Sequence, residues 1–462
     1  MRAVAEAIEQ PTPHGIAAAI SRLVTTGDLA PGDRLPTVRA LAGELGVSPA
    51  TVSHAWRTLA SAGLIVSRGR SGSFVRSAPR EWLPRRYQNL DGTRDAAIDL
   101  SRGAPDAALL PDLSRALGRV STRAQVTSYQ AKPDIPALHD LLRQTWPAPV
   151  ESLTVTNGAL DAIDRALAAL ARYGDRVVVE DPTFPPFIDL FETYGLEPVG
   201  VPLDAEGPRP AEFAAALASA PSIVLLQPRA QNPTGASISP ARLEQLARAL
   251  ARSRVAANAI VIEDDHSALI SSSEPVSFAN RLPERTLHVR SLSKSHGPDL
   301  RVGALGGPRE LVDRVVARRL LGPGWTSRMI QEIVFDLMTD PVALAEVAHA
   351  RDAYAGRQRE LRAALAGHGV ETATADGINM WLPVADERGA AVRLAANGIR
   401  VAPGSAFQLG SASPLGSTSP LGSSPPGTPP HGGARPHVRV TVGAAGEDIG
   451  GIAAALAAAA QP

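Results

Sequence analysis

The chain lacks cysteine altogether and contains little lysine and few aromatic residues. Without cysteine there are no disulfides, thiolate metal sites or cysteine nucleophiles. Lysine occurs only at Lys132 and Lys294, so all but two of the 46 basic residues are arginine. No run of about twenty uncharged apolar residues occurs, and we expect no transmembrane span. Because basic and acidic residues balance at 46 each, any nucleic-acid site must be local.

Lys294 is the more informative of the two lysines because of its neighbours. Ser291, Ser293 and Ser295 flank it, and Arg301 follows. An amine can lose its proton and attack a carbonyl, which a guanidinium cannot do, and hydroxyl groups with an arginine suit a phosphate. An aldehyde that carries a phosphate is pyridoxal 5′-phosphate (PLP), and the hypothesis is an internal Schiff base at Lys294. The alternative is a surface lysine in a turn.

The length of 462 residues predicts two or three domains. The first ten residues include Glu6 and Glu9 and no long apolar run, so we expect no signal peptide and a cytoplasmic protein. Three helical patterns then follow one another in residues 16–24, 38–45 and 48–62. Thr37 can cap the second helix, and Ser48 with Pro49 begins the third. The pattern predicts a helix-turn-helix whose last helix is the recognition helix.

Two short strands after these helices, residues 64–67 and 73–76, predict a hairpin wing, so residues 1–78 are expected to form a winged helix-turn-helix domain. An alternative for any three-helix segment is a small protein-interaction domain. Several side chains can donate to phosphates and base edges. They are Arg39, Ser48, Thr51, Ser53 and His54 on the helices and Arg68 and Arg70 on the wing.

The motif P-G-D-R-L-P-T-V-R-A-L-A-G-E-L-G-V-S-P-A-T-V-S-H-A-W-R-T-L-A-S-A-G-L-I resembles the GntR family of bacterial repressors. The resemblance implies that Arg39, Ser48 and Thr51 contact DNA, together with the wing around Arg68 and Gly69. Pro49 stands where these proteins often have a DNA-contacting arginine, so we expect a different base specificity.

Residues 79–95 are polar and show no periodicity, which predicts a linker. From residue 96 to residue 462, apolar runs alternate with helical segments, as in a mostly parallel α/β sheet. Residues 411–436 are dominated by proline, glycine and serine, and they are predicted to form a disordered surface loop. The apolar runs that predict strands are 153–155, 177–180, 223–226, 259–263 and 287–289.

Polar and aromatic residues follow several of these strands, where such sheets bind ligands. Gly158 and Ala159 open a helix and offer backbone N–H groups to a phosphate. Phe184 can stack on a flat ring or, equally, belong to the core. Asn232 can donate to a phenolate oxygen, and a buried carboxylate from the E-D-D-H cluster at 263–266 would keep a pyridine nitrogen protonated. A metal site in that cluster is less favoured, because no second histidine or cysteine lies at ligand spacing.

The order G-A, D-P-x-F, N-P-T-G, D-x-H, S-x-S-K and R resembles the fold-type I PLP enzymes of the aspartate aminotransferase class, over roughly residues 96–462. The resemblance implies an α/β transferase fold with a smaller C-terminal α+β subdomain. It implies that Lys294 carries the aldimine and that Asp264 pairs with the pyridine nitrogen. The other cofactor-binding residues that it implies are Tyr129, Gly158, Ala159, Phe184, Asn232, His266, Ser291 and Arg301.

The same resemblance gives these residues their roles. Gly158, Ala159, Ser291 and Arg301 hold the phosphate, Asn232 and His266 lie by the 3-oxygen, and Phe184 stacks on the ring. Tyr129 matches a tyrosine that reaches the phosphate of a neighbouring subunit, which implies a homodimer. Arg439 matches the arginine that binds a substrate α-carboxylate bidentately.

Three positions depart from the pattern of that class. His266 and Phe184 replace tyrosines, and Leu160 replaces a glutamine. These changes alter contacts around the cofactor and argue against efficient transamination.

A GntR-type domain followed by an aminotransferase-like domain resembles the MocR subfamily of transcriptional regulators. The resemblance implies that PLP, or an amino compound that forms an aldimine at Lys294, modulates binding to operator DNA, with genes of vitamin B6 or amino-acid metabolism as targets. One alternative is an active aminotransferase with an appended DNA-binding domain. Another is a binding domain that no longer holds PLP.

Overall fold

The computed structural model describes residues 2–30, 32–61, 64–67, 72–75, 86, 96–120, 132–410, 435–446 and 448–461. The chain divides into two compact units, an N-terminal one and a larger one. Apart from Arg86, the expected linker 79–95 lies outside the described residues, as do residues 411–434 of the expected loop. No helix among the described residues is long and apolar enough to cross a membrane.

The N-terminal unit is a winged helix-turn-helix, as the sequence predicts. Thr37 accepts a hydrogen bond from the backbone N–H of Ala40 (3.2 Å) and begins one helix, which ends at Gly46 with a φ of 67°. Ser48 accepts from the N–H of Thr51 (3.2 Å) and begins the next helix. The elements are α1 (Arg2–Glu6), α2 (Pro13–Thr26), α3 (Val38–Leu45), α4 (Pro49–Ser61), β1 (Ile65–Ser67) and β2 (Ser73–Val75).

One apolar cluster holds the N-terminal unit together. It includes Ile16 and Ile20 of α2, Leu41 of α3 and Val52 of α4, all fully buried. β1 and β2 pair antiparallel, with Ile65 opposite Val75, and both of these side chains join the cluster. The hairpin wing is therefore fixed to the helices by burial of its inner face.

The larger unit is built on an eight-stranded sheet. Five neighbouring strands run parallel, and the edge strands are antiparallel to their neighbours. This confirms the predicted mostly parallel α/β fold. In spatial order the strands are β4 (Ser152–Thr156), β11 (Gly303–Gly307), β10 (Thr286–Ser291), β9 (Ile260–Asp265), β8 (Ile223–Leu226), β5 (Arg176–Asp181), β6 (Glu197–Asp204) and β7 (Gly207–Pro208).

Helices cover both faces of this sheet, so its central strands are apolar on both sides. Val177 and Val179 face one buried cluster, and Val178 between them faces another. The helices of the larger unit are α5 (Ser114–Val120), α6 (Pro136–Gln144), α7 (Ala159–Leu170), α8 (Pro185–Tyr194), α9 (Pro210–Leu217), α10 (Pro240–Arg252), α11 (Arg309–Leu320), α12 (Arg328–Leu337), α13 (Pro341–Gly367), α14 (Glu387–Ala396) and α15 (Ile449–Ala460).

A second sheet of four strands forms the smaller subdomain. Its order is β12 (Asn379–Pro383), β14 (His437–Thr441), β13 (Ile399–Pro403) and β3 (Ile98–Leu100). β3 is the first described strand after the expected linker, and it lies at the sheet edge with Ile98 opposite Ile399 of β13. The C-terminal helix α15 packs here through Ile452 and Leu456. The smaller α+β subdomain is thus confirmed, with one strand from the start of the larger unit.

Candidate functional site

The amine and the carboxylate singled out by the sequence lie at the ends of adjacent parallel strands. Asp264 in β9 is opposite Val289 of β10. β10 ends at Ser291, and the chain turns through Lys294 directly afterwards. Parallel strands end at the same edge of a sheet, and this brings the two side chains together.

Lys294 is half-buried, and its amine donates to the backbone carbonyl oxygen of Gly103 (2.5 Å). Burial, together with the positive charges of Arg439 and Arg301, lowers the pKa of Lys294 to about 8, against the opposing effect of Asp264. A larger fraction of this amine is therefore neutral near pH 7 than for an ordinary lysine. A neutral amine is the form that attacks a carbonyl.

Asp264 is almost fully buried and has one free oxygen. Its Oδ2 accepts from Nε2 of Gln227 (2.8 Å), whereas Oδ1 has no hydrogen-bond partner among the described residues. Burial raises the pKa of Asp264 to about 7, and the nearby charge of Asp265 acts in the same direction. An unpaired buried carboxylate oxygen is costly and fits a positively charged or N–H-bearing ligand.

Gln227 and Glu180 support this carboxylate, and neither was expected from the sequence. The backbone N–H of Gln227 donates to Oε1 of Glu180 (3.1 Å), and Oε1 of Gln227 accepts from the N–H of Asn232 (2.8 Å). Burial raises the pKa of Glu180 to about 8, so this carboxyl is mostly protonated at neutral pH. A signal existed for Gln227, because it is the first residue after β8, at the strand edge where ligands bind.

Arg439 and Asn232 lie together beside the amine. Nη1 of Arg439 donates to Oδ1 of Asn232 (3.1 Å), and Nη2 donates to the carbonyl oxygen of Ser101. The guanidinium is buried over the ring of Phe407, and its Nε has no partner among the described residues. A buried arginine without a carboxylate partner of its own suits an anionic ligand.

Two of the residues expected at a phosphate, Gly158 and Arg301, lie against each other. Gly158 has a φ of 97°, which favours glycine, and a Cβ added there would lie 2.9 Å from Nη2 of Arg301, so the tip of this arginine would have to shift. Ala159 begins α7, whose backbone N–H groups are directed towards the same turn. The Oγ of Ser291 accepts from the N–H of Ser293 (3.3 Å).

His266 and Phe184 have protein partners of their own. Nε2 of His266 is 2.9 Å from the carbonyl oxygen of Ala230, and Nδ1 is 3.1 Å from Oγ of Ser267. Burial lowers the pKa of His266 to about 4, so the ring is neutral. Both ring nitrogens are therefore engaged, and a contact with the 3-oxygen stays a prediction. Phe184 is half-buried and meets Phe187 edge-on at 5.4 Å, so it also packs against the core.

A second charged cluster lies on the other face of β9, where side chains alternate with that of Asp264. Nη2 of Arg229 donates to Oδ2 of Asp265 (2.5 Å), and Nδ1 of His288 is 2.8 Å from Oε2 of Glu263. Burial alone would raise the pKa of Asp265, but the charges of Arg229 and His288 hold it well below its usual range. The groups in this cluster are paired with one another.

The predicted DNA-contacting side chains of the helices are accessible. Arg39, Ser48 and His54 are exposed, and Thr51 and Ser53 are half-buried. Arg57 is also exposed, and the sequence analysis did not include it among the DNA-contacting residues. It lies three residues after His54 and four after Ser53, on the same face of α4, and this helical spacing could have identified it. Arg68, Gly69, Arg70 and Tyr129 lie outside the described residues.

Both units of the chain resemble known protein families. Residues 13–75 match the model of bacterial regulatory proteins of the gntR family, and residues 95–421 match that of aminotransferase class I and II. The vitamin B6 salvage pathway transcriptional repressor PtsJ of Salmonella typhimurium is 37% identical over 410 residues, which cover 87% of this chain and 92% of PtsJ. The pyridoxine biosynthesis regulator PdxR of Corynebacterium glutamicum is 30% identical over 303 residues, 63% of this chain and 64% of PdxR.

Solved structures share the fold of the larger unit. A multiple substrate aminotransferase from Thermococcus profundus has a TM-score of 0.68 and 20% identity, and the match covers 82% of this chain and 95% of that one. Aspartate aminotransferase from Thermus thermophilus has a TM-score of 0.66 and 21% identity, with coverage of 82% and 100%.

A winged helix-turn-helix joined to a fold-type I aminotransferase fold defines a class of DNA-binding regulators with a PLP-type domain. The chain belongs to the GntR family of bacterial regulatory proteins and, within it, to the MocR type. Its cofactor is PLP. The described residues fit this group, because Asp264 has an unpaired buried oxygen, Gly158 leaves space beside Arg301, and Lys294 has a lowered pKa.

Proposed function

We propose that PLP, or an amino compound bound together with it at Lys294, changes the affinity of this regulator for its operator. The observation that carries the proposal is the amine of Lys294, whose pKa is lowered to about 8, beside the half-satisfied carboxylate of Asp264 in a chain that begins with a DNA-binding domain. When bound, PLP supplies an aldehyde that reacts with amines. Lys294 would hold it covalently, and Asp264 would pair with its protonated ring nitrogen.

The remaining site residues complete this proposal. Arg301, Gly158, Ala159 and Ser291 would hold the phosphate, and Asn232 and His266 would lie by the ring oxygen. Phe184 would stack on the ring. Arg439 would bind the carboxylate of an amino-acid effector, because its buried guanidinium has no acidic partner within the described part of the chain.

We further propose that the chain acts as a homodimer in the cytoplasm, where its DNA target lies. The relatives named for vitamin B6 salvage and pyridoxine biosynthesis support genes of vitamin B6 metabolism as targets, with a B6 vitamer or an amino compound as the effector. Genes of amino-acid metabolism are the other candidates. Tyr129 would reach the phosphate of the second subunit.

Absorbance and operator binding test the central proposal together. Operator DNA is selected from random duplexes with the full-length chain, and its affinity is then measured with and without PLP. We expect a Schiff-base absorbance band in the wild type and a change in operator affinity. Lys294→Ala should abolish both, whereas Lys132→Ala, at the exposed second lysine, should leave both as in the wild type. An operator affinity that is the same with and without PLP would contradict the proposal.

The DNA-contacting set proposed for the N-terminal unit is Arg39, Ser48, Thr51, Ser53, His54, Arg57, Arg68 and Gly69. Arg39→Ala should weaken operator binding by about 1–3 kcal/mol and leave the PLP absorbance unchanged. Arg22→Ala, an exposed arginine on α2, is the matched control and should have a much smaller effect. Equal losses in the two variants would point to a general charge effect.

An active aminotransferase is the second candidate, and the observation that favours it is Arg439 beside Lys294. It predicts steady keto-acid production from amino acids in the presence of PLP. Slow or absent turnover together with PLP-dependent operator binding is the result expected for the regulator.

A further inference from the structure

The backbone segment Ser101–Arg102–Gly103, here called the strap, closes over the two cationic groups of the site. The carbonyl oxygen of Gly103 accepts from the amine of Lys294 (2.5 Å), and that of Ser101 accepts from Nη2 of Arg439. Ser101 and Arg439 are both buried. Two of the groups proposed to bind a ligand, Lys294 and Arg439, therefore donate to this one segment.

The fit of the strap against the site is close. Gly103 has a φ of 60°, and a Cβ there would come within 3.1 Å of Nη1 of Arg439. Its N–H donates to Oγ1 of Thr441 (2.9 Å), and the side chains of Ser101 and Arg102 both donate to Asp99 (2.6 Å each). The strap is thus a compact turn, held to the site by hydrogen bonds to two cations.

The strap continues directly from β3, the first described strand after the chain leaves the N-terminal unit. β3 is three residues long and lies at the edge of its sheet, and among the described strands it pairs only with β13. Short edge strands with few backbone hydrogen bonds are the least stable elements of a sheet and open most readily. Leu100 of β3 is buried in the core of the smaller subdomain, so the backbone pairing of β3 with β13 is the part of this edge that a change at the strap can loosen.

Condensation of the Lys294 amine with an aldehyde would weaken one of the two hydrogen bonds that hold the strap, the one from Lys294 to Gly103. When a neutral primary amine condenses with an aldehyde, a carbon–nitrogen double bond forms, and the aldehyde oxygen leaves as water with the two amine hydrogens. The nitrogen then carries at most one hydrogen, fixed in the plane of the double bond. The free ammonium can rotate any of its three hydrogens towards Gly103. A ligand carboxylate that reaches Arg439 competes in the same way with the carbonyl of Ser101.

We propose that the strap is the element that reports occupancy of the site to the operator-binding unit: hydrogen bonds from Lys294 and Arg439 hold it, and it is released when a ligand engages these two side chains. This inference rests on the proposed function, since it specifies how PLP changes operator affinity. A PLP-dependent shift of about ten- to a hundredfold is expected, the equivalent of one hydrogen bond from a charged donor.

Two substitutions at Lys294 should fix the strap in opposite states. Lys294→Met cannot donate to Gly103, so without PLP it should bind operator with the affinity of PLP-loaded wild type. Lys294→Arg keeps a charged donor but cannot condense, so it should keep the affinity of PLP-free wild type. The operator affinity of both variants should be unchanged by PLP, whereas that of the control Lys132→Met should change with PLP as that of the wild type does.

The outcomes separate the strap from the function on which it rests. If wild type responds to PLP but Lys294→Met keeps the ligand-free affinity, the strap is rejected and the proposed function stands. If wild type itself does not respond to PLP, the proposed function fails and the strap fails with it.

Hydrogen–deuterium exchange in the full-length chain guards against a variant that merely folds badly. Peptides that cover residues 98–103 should exchange faster in PLP-loaded wild type and in PLP-free Lys294→Met than in PLP-free wild type and Lys294→Arg. Peptides from the large sheet should exchange equally in all four. Equal exchange of residues 98–103 in the four samples would overturn the proposal.

Discussion

Asp264 and Asp265 are neighbours on β9, yet they face opposite sides of the sheet and differ in almost every electrostatic respect. Asp265 is paired with Arg229, and its pKa is held well below the usual range. Asp264 has one amide donor, an unpaired oxygen and a pKa raised to about 7. Burial alone does not make a binding site: the paired carboxylate belongs to the scaffold, and the carboxylate with one oxygen lacking a partner among the described residues is the candidate for ligand binding.

Asp265→Asn should give the largest effect. The change leaves Arg229 buried without its anionic partner, while His288 keeps Glu263, so the free energy of unfolding should fall by about 3–5 kcal/mol. Because the pKa of Asp265 is lowered by folding, this loss should be complete above about pH 4 and shrink at lower pH. Urea unfolding of the PLP-free chain measures it, and a loss below about 1 kcal/mol would contradict the assignment of Asp265 to the scaffold.

Asp264→Asn, the matched change one residue away, should act in the opposite direction on stability. The pKa of Asp264 is raised by folding, so its contribution is lost as pH rises through about 7, and the PLP-free variant should be more stable than wild type above that pH. Affinity for PLP should fall about 10- to 150-fold, as for loss of a hydrogen bond to a charged group. Unfolding curves and absorbance titrations measure the two effects, and destabilisation equal to that of Asp265→Asn would remove the distinction between the two carboxylates.

The rate of Schiff-base formation between PLP and Lys294 should be proportional to the fraction of the Lys294 amine that is neutral. With a pKa of about 8, the rate constant should rise about tenfold per unit at low pH and level off above about pH 8. Stopped-flow absorbance gives this profile, with free lysine as the comparison. A profile that keeps rising towards the ordinary lysine value of 10.5 would show that burial does not lower the pKa.

Glu180→Gln should have the smallest effect at neutral pH. The pKa of Glu180 is raised to about 8, so the wild-type side chain is already mostly neutral at pH 7, and PLP affinity there should change less than about threefold. At pH 9 the variant should be more stable than wild type, because the glutamate must then either ionise in the interior or hold its proton. A large loss of affinity at pH 7 would indicate a charged Glu180 beside Asp264.

Much of the fold was predictable because its signals are local. Thr37 and Ser48 cap helices that begin at the next residue, and the apolar run 223–226 is β8 itself. Lys294 and Asp264 could be singled out because each belongs to a short motif at a strand end. The residues that surround Asp264 could not be singled out in this way. Gln227 lies 37 residues from Asp264 along the chain, and nothing in the sequence spacing says that their side chains contact each other.

The sequence by itself determined the order of the two units and the mostly parallel sheet, and it singled out Lys294 as the predicted aldehyde-reactive lysine, because helix periodicity, strand patterns and motif chemistry depend on neighbouring residues. Only the tertiary structure decided that one oxygen of Asp264 has no partner among the described residues while Asp265 is paired with Arg229, and that Gly103 contacts Lys294 from 191 residues away. Burial and charge pairing depend on contacts between residues that are distant along the chain, so they arise only when the sheets and helices pack together.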